Sequence, residues 1–333
     1  MKSRIIIFFG LFATIILLFL NEIFNSIFLY NGDASIVDIL MFYADKNVGA
    51  DEGYVLNGDW WAAVKFMMQN NDVRVHIITD SQQILNNISS LGQPYFGYDL
   101  KYFQNMNETF FQIYKHVSVN TFTYEYLCFY RWFVFNEIVK LCAIHNSTHP
   151  IRKIITMDLD AIILTSPSTL FRNVLKFYKM NVYDLTNIMM IPGAVTLWSP
   201  KGLNQFTVFL RNCYDQSPQN FYVLANEFEV KFEGRLHISD INFLRRFSTL
   251  NSLRSRQINS NLPIIVGESP NECIAFRDRH FQEKHYIDKI FVDKSRKLMI
   301  NLHNRTSQLC LVHFQGNLKS QMKRIINSLI QRI

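Results

Sequence analysis

Low-complexity tracts, internal repeats and Gly- or Pro-rich stretches are missing from this chain of 333 residues, which has only 12 glycines and 8 prolines. Their absence excludes collagen-like, linker-dominated and disordered chains. Cysteine is also scarce. The five cysteines (Cys128, Cys142, Cys213, Cys273, Cys310) are widely spaced with no C-x-x-C pair, which argues against a zinc site. In an oxidising compartment they allow one or two disulfides and leave at least one thiol unpaired, and the spacing does not say which. A dense Lys/Arg run, a zinc-finger pattern and an RNP-type signature are lacking as well. The net charge of +7 and pI near 9.1 come from scattered residues, among them Lys2, Arg4, Lys323, Arg324 and Arg332. Net charge without a basic footprint does not point to nucleic acid.

What is present is apolar mass: 49% hydrophobic residues, with 29 Phe and 15 Tyr, enough to bury a sizeable core. The most apolar run is Ile5–Leu20, preceded by Lys2 and Arg4 and continued beyond Glu22 by Ile23–Tyr30. It lies just short of the ~20 residues of a membrane helix. It is longer than the ~7–15 residues of a signal-peptide core, and no A-x-A site follows. The expectation is an uncleaved signal anchor, with a cleaved signal or a buried helix as alternatives. Charge asymmetry puts residues 1–4 in the cytoplasm as a tail. Residues 5–30 are then the membrane helix and a short stem, and residues 31–333 a lumenal domain. Sequons at Asn87, Asn107, Asn146 and Asn304 fit that topology.

Alternating patterns organise the rest. Ile36–Ala44 reads as a strand, Leu56–Gln69 as a helix and Val73–Thr79 as a second strand, a βαβ unit with parallel pairing. Thr123–Leu141 reads as a long buried helix carrying Arg131 and Glu137, and the aromatic run Phe122–Phe135 within it as core. Lys153–Met157 is a short strand, Ile188–Leu197 is apolar around Pro192–Gly193, and Leu203–Cys213 is helical. A loop and helix start fall in Gly234–Arg246, a late strand at Leu309–Phe314 and an amphipathic helix at Ser320–Ile333. One α/β domain after residue 35 is the simplest organisation.

Two motifs carry chemistry. Asp158-x-Asp160 follows a strand, and in an extended segment alternate side chains face one way, so both carboxylates can meet one divalent cation. Two hard oxygen ligands suit Mn²⁺ or Mg²⁺. About one D-x-D arises by chance in such a chain, and its plain alternative is a solvated turn. The second is His313-x-x-Gly316-x-x-Lys319 after another apolar strand. An imidazole there can ligate the same metal, a glycine allows close approach of a diphosphate, and a lysine neutralises phosphate charge.

Together these pieces resemble the GT-A nucleotide-sugar transferases, most of all glycosyltransferase family 8, the glycogenin and galactosyltransferase-like group. The resemblance spans about residues 36–320. It implies a Rossmann-like GT-A α/β domain behind the N-terminal transmembrane helix. It implies Mn²⁺ or Mg²⁺ on Asp158, Asp160 and His313, and donor diphosphate on Gly316 and Lys319. Tyr130–Arg131–Trp132 resembles the family's arginine-bearing helix facing the donor. Pro192–Gly193–Ala194 resembles its sugar-contact segment, and Ser239–Asp240–Ile241 its Asp-Gln pair beside the sugar. Tyr43–Ala44–Asp45 stands where the family cradles the base. The chain departs at Ser320–Gln321 (Pro-Trp in the family), at Ile241 (Gln) and at the incomplete Asn-Ala-Gly triplet.

Each residue keeps a plainer alternative: Arg131 paired with Glu125 or Glu137, Asp240 as a helix N-terminal carboxylate, Gly193 as a turn glycine. The implied function is metal-dependent, retaining transfer of a hexose from a UDP-sugar to a glycan or glycoprotein hydroxyl in the secretory pathway, the Golgi before the ER. A catalytically silent membrane-anchored relative is the first rival. A metal-dependent phosphotransferase or hydrolase is the second, and it lacks a P-loop or second carboxylate pair.

Overall fold

The computed structural model describes residues 36–44, 72–145, 150–159, 161–178, 180, 182, 185–191, 194–227, 231–232, 235–251, 255–257, 264–266, 273–276, 290–294, 298–302 and 305–313. The fold is that of the unit Val37–Ile333; Met1–Ile36 forms a unit of its own. The expected anchor, the Leu56–Gln69 helix and the closing helix lie outside the described residues. Among those that are described, no helix is long and apolar enough to cross a membrane.

The chain runs through β1 (Val37–Tyr43), β2 (Val73–Thr79), α1 (Gln82–Leu91), β3 (Tyr95–Asp99), α2 (Gln104–Ile113) and α3 (Phe122–His145). Next come β4 (Ile154–Met157), β5 (Ala161–Ile163), α4 (Pro167–Phe177), β6 (Asn187–Ile191), β7 (Val195–Trp198), α5 (Pro200–Tyr214) and α6 (Pro218–Asn226). The two-residue strands β8 (Lys231–Phe232) and β9 (Arg235–Leu236) precede α7 (Asp240–Leu250) and β10 (Ser255–Gln257). The chain closes on β11 (Ile264–Val266), β12 (Cys273–Phe276), β13 (Ile290–Val292), β14 (Leu298–Leu302) and β15 (Arg305–His313).

The central sheet has the order β10-β6-β7-β4-β1-β2-β3. The pairs β1–β2, β2–β3, β1–β4 and β6–β10 are parallel, and β7 runs antiparallel between β4 and β6. This is a mixed α/β fold with a parallel-rich sheet. Val37–Tyr43 has almost no polar face, as a strand covered on both sides requires. Its odd residues join one core cluster, which includes α1 and α4 residues. Leu40 and half-buried Phe42 face the other, formed by α2, α3, α5 and α7.

Helix α3 is apolar all round because it is enclosed. Tyr126, Phe129, Tyr130, Trp132, Phe133 and Phe135 are buried, which makes the aromatic run core as expected. Phe122 and Tyr124, at its start, are instead 41% exposed. The helix also continues past Leu141 to His145, since Cys142–His145 contains no breaker. The apolar stretch Ile188–Leu197 falls on an antiparallel pair, β6 and β7; Pro192 and Gly193 lie outside the described residues. Strand β15 begins at Arg305, four residues before the expected start, because its polar half pairs with β14 as a hairpin.

A second sheet, β11-β12-β15-β14-β13, carries β5 on the far side of β15. Among the cysteines, Cys310 is disulfide-bonded, and Cys128, Cys142 and Cys213 are free thiols.

Candidate functional site

The chain leaves β1 for β2 and β3 on one side and returns to β4 on the other, so the strand order reverses between β1 and β4. Crevices at the carboxyl ends of such strands are the usual ligand sites of open α/β sheets. Met41 stands opposite Met157 in that parallel pair, so Tyr43–Ala44 and Asp158 leave the sheet at the same edge. Tyr43 is 7% and Ala44 4% exposed, with Tyr43 packed in the core. Asp45 lies outside the described residues.

Ala161 N–H donates to the Asp158 carbonyl at 3.1 Å, closing a turn over 158–161. Asp158 thus opens a turn rather than continuing the strand, because β4 ends at Met157. Nor is Asp158 simply solvated. Its N–H donates to the Ala194 carbonyl at 2.8 Å, and its side chain is 31% exposed. The segment that includes Pro192–Gly193–Ala194 is thereby fastened to the acidic turn, although Gly193 itself, like Asp160, lies outside the described residues.

Strand β5 starts at the end of that turn and pairs antiparallel with β15, which sets His313 directly opposite Ala161. One strand pair thus brings the two motifs together. His313 is 6% exposed, and Leu311 and Val312 just before it in β15 are core. Gly316 and Lys319, beyond its end, lie outside the described residues. Among those that are described, no three His, Cys, Asp or Glu side chains cluster as metal ligands. A carboxylate at Asp158 and an imidazole at His313 are of the ligand types that Mn²⁺ accepts.

From α3, Arg131 reaches into this edge. Its Nη1 donates to Asp158 Oδ1 at 2.5 Å and its Nη2 to Asp240 Oδ2 at 2.7 Å. The guanidinium is 14% exposed. Burial alone would lower its pKa, but Asp158 and Asp240 more than offset that, and the net direction is upward. Glu137 pairs with Lys140, and Glu125 meets Ser118 and Asn120. Arg131 is therefore tied to the two acids far away in sequence rather than to the helix neighbours weighed above. Asp240 stands as the helix N-terminal carboxylate that its plainer reading expects. It opens α7 directly after the N-cap Ser239, where the helix dipole favours a carboxylate. It also accepts a 2.9 Å bond from Trp132 Nε1.

No family model and no curated protein matches the chain. Solved structures do. One is the apo form of mouse xyloside xylosyltransferase 1, with 13% identity, a TM-score of 0.44, and coverage of 67% of this chain and 85% of that one. Another is a putative nucleotide-diphospho-sugar transferase from Desulfovibrio desulfuricans G20, with 11% identity, a TM-score of 0.33, and coverage of 68% and 79%. TM-scores this low carry no assignment; the site rests on strand order and side-chain geometry.

Trp132 is the site residue that sequence reasoning missed as a participant. Its position beside Arg131 was the available signal: an indole in a buried helix needs an acceptor. Sequence also gave no warning of Asp38, which is buried on β1. It takes Arg74 Nε and Nη2 at 2.7 and 2.8 Å and lies 2.9 Å from His76 Nε2. Asp38 and Arg74 stand near the starts of their strands, at the sheet edge away from the site, where they serve the fold.

Proposed function

We propose that this chain is a metal-dependent glycosyltransferase moving a sugar from a nucleotide-diphosphate donor, a UDP-hexose, to an acceptor hydroxyl on a glycan or glycoprotein. The observation that carries the reading is the β5–β15 pairing, which sets His313 beside the acidic turn at the switch point of the sheet. Asp158, Asp160 and His313 would hold Mn²⁺ or Mg²⁺, which when bound supplies positive charge to the departing diphosphate. Gly316 and Lys319 are assigned to the same diphosphate, and Tyr43–Ala44–Asp45 to the base. Asp240, anchored by Arg131 and Trp132, presents a fixed carboxylate for a donor-sugar hydroxyl, and Gly193 lies with the sugar-contact segment. Fixed groups of this kind lower the barrier by orienting the reactants. Retention of configuration follows from the likeness to family 8.

A single-pass membrane topology with a lumenal domain, in the Golgi before the ER, belongs to the same proposal. The disulfide at Cys310 supports an oxidising compartment, and Asn87, the first sequon, is exposed on α1. One observation favours the rival, a silent relative: the Arg131 bond already engages one oxygen of Asp158.

Calorimetry of the full chain with UDP, with and without Mn²⁺, separates the two. The transferase reading expects Mn²⁺-dependent UDP binding that is lost in Asp160→Ala and His313→Ala. A folded protein that binds no UDP sinks it in favour of the silent relative.

A further inference from the structure

Beside Asp240 runs a chain of polar groups that the transferase reading leaves without a task. Glu125, in the first turn of α3, is 1% exposed. Its Oε2 lies 3.0 Å from Ser118 Oγ and 2.7 Å from Asn120 Nδ2, while its buried Oε1 has no hydrogen-bond partner. Ser118 Oγ is also 2.9 Å from His237 Nδ1, and the Val119 N–H donates to that same nitrogen at 3.3 Å. Ile238 N–H donates to the Val117 carbonyl at 2.8 Å. The segment ahead of α3 is therefore fastened to the segment that leads directly into Asp240.

Counting protons fixes the order of this chain. Val119 N–H points at Nδ1, so Nδ1 is an acceptor and the ring proton sits on Nε2. Ser118 then has one proton and two acceptors if Glu125 is ionised, and its oxygen faces the Nδ1 lone pair across 2.9 Å. If Glu125 carries a proton on Oε2, Ser118 has one donor partner and one acceptor partner in line and both ends of the chain are consistent. The carboxyl donates to Ser118 Oγ, Ser118 donates to Nδ1, and the Asn120 N–H donates to Ser118 Oγ at 3.2 Å. Electrostatics agree. The Arg131 guanidinium is bonded to Asp158 and Asp240, and the charge of Asp240 opposes a further negative charge on Glu125.

We propose that Glu125, Ser118 and His237 form a proton-ordered clasp that positions Asp240 by fixing the segment in front of it, with Glu125 as a positioning residue. Burial, the largest cause, with Asp240 adding to it, pushes Glu125 up to about 7, against the pull of the Asn120 and Ser118 hydrogen bonds and of Arg131. The other titratable groups facing it, Tyr114, Cys128 and Tyr214, are uncharged, since burial raises all three. When Glu125 ionises, its proton leaves Oε2 for solvent, Ser118 turns its own proton from Nδ1 to the carboxylate, and Nδ1 loses its stronger donor. What Asp240 does in the reaction rests on the transferase reading; the clasp itself does not.

The test uses ¹⁵N resonances of the full chain labelled at histidine and tryptophan, with His237→Asn and Trp132→Phe assigning the two signals. Wild type at pH 6 is expected to show an unprotonated, hydrogen-bonded His237 Nδ1. Between pH 6 and 8 that signal should move, together with the Trp132 indole that reports Asp240. Glu125→Gln, whose amide can donate to Ser118 as the acid does, should hold both signals at their pH 6 positions up to pH 8. Glu125→Ala should displace both at every pH. A protonated Nδ1 in wild type at pH 6 overturns the proposal, as does a Glu125→Gln protein whose signals follow pH as wild type does. A Trp132 indole indifferent to Glu125→Ala overturns the positioning role; if that variant fails to fold, the Glu125→Gln comparison still decides. No donor or acceptor enters this measurement, so its failure leaves the transferase reading intact, and loss of UDP binding leaves the clasp intact.

Discussion

Arg131 and Asp240 stand 109 positions apart in sequence and are joined by a 2.7 Å hydrogen bond, with the indole of Trp132 donating to the same carboxylate oxygen. The other guanidinium nitrogen holds Asp158. One helix thus fixes the acidic turn after β4 and the start of α7 relative to each other, and several expected outcomes depend on that link.

Removing Arg131 takes away the cation that both Asp158 and Asp240 bond. Breaking a largely buried pair costs about 3–5 kcal/mol. Arg131→Ala should lose stability on that scale in chemical denaturation. Arg131→Lys should recover only part of it, because an ammonium cannot bridge two carboxylates as the planar fork does. A loss below about 1 kcal/mol, the scale of an exposed pair, would show that the link is not structural.

Stability should fall as pH rises from about 5 to 7.5. Glu125 goes from 4.5 to about 7 on folding, so the folded chain holds a proton across that window that the unfolded chain has released. The stabilisation is complete at the acid end and lost as pH climbs through the folded value. At about 1.36 kcal/mol per pH unit the effect amounts to roughly 3 kcal/mol at most. Glu125→Gln should flatten this part of the unfolding free-energy profile.

Asp38 offers a control carboxylate. Asp38→Ala removes the carboxylate that meets both the Arg74 guanidinium, 15% exposed, and the nearly buried His76, and should cost about 3 kcal/mol. Mn²⁺-dependent UDP affinity should be unchanged under conditions where the variant remains folded. A parallel loss of affinity would place this network in the site.

Gly202 in α5 lies against the backbone of Thr186, where an added Cβ would stand 1.9 Å from the carbonyl oxygen. Alanine gains about 1 kcal/mol of helix propensity. Overpacking against backbone that cannot swing aside costs about 1–3 kcal/mol or more. Gly202→Ala should therefore be destabilising in thermal unfolding, against the propensity trend.

Local pattern alone determined a good part of this protein. The apolar strands at β1 and β2, their parallel pairing, the enclosed helix α3 and the strand ends that carry Asp158 and His313 are legible because a strand buried on both faces cannot admit polar residues, and because a strand end is where the chain turns out of the sheet. Tertiary structure decided the rest. Arg131 has acids of its own helix only six positions away on either side, Glu125 and Glu137, and its partners lie instead in the turn after β4 and at the start of α7, which sequence distance does not reveal. The second sheet was not legible as a sheet, because most of its strands are too short to show a period. Yet its pairing with β5 is what carries His313 to the acidic turn. Asp38 and Glu125 look like ordinary surface acids in sequence, and only burial shows that one must be paired and the other protonated.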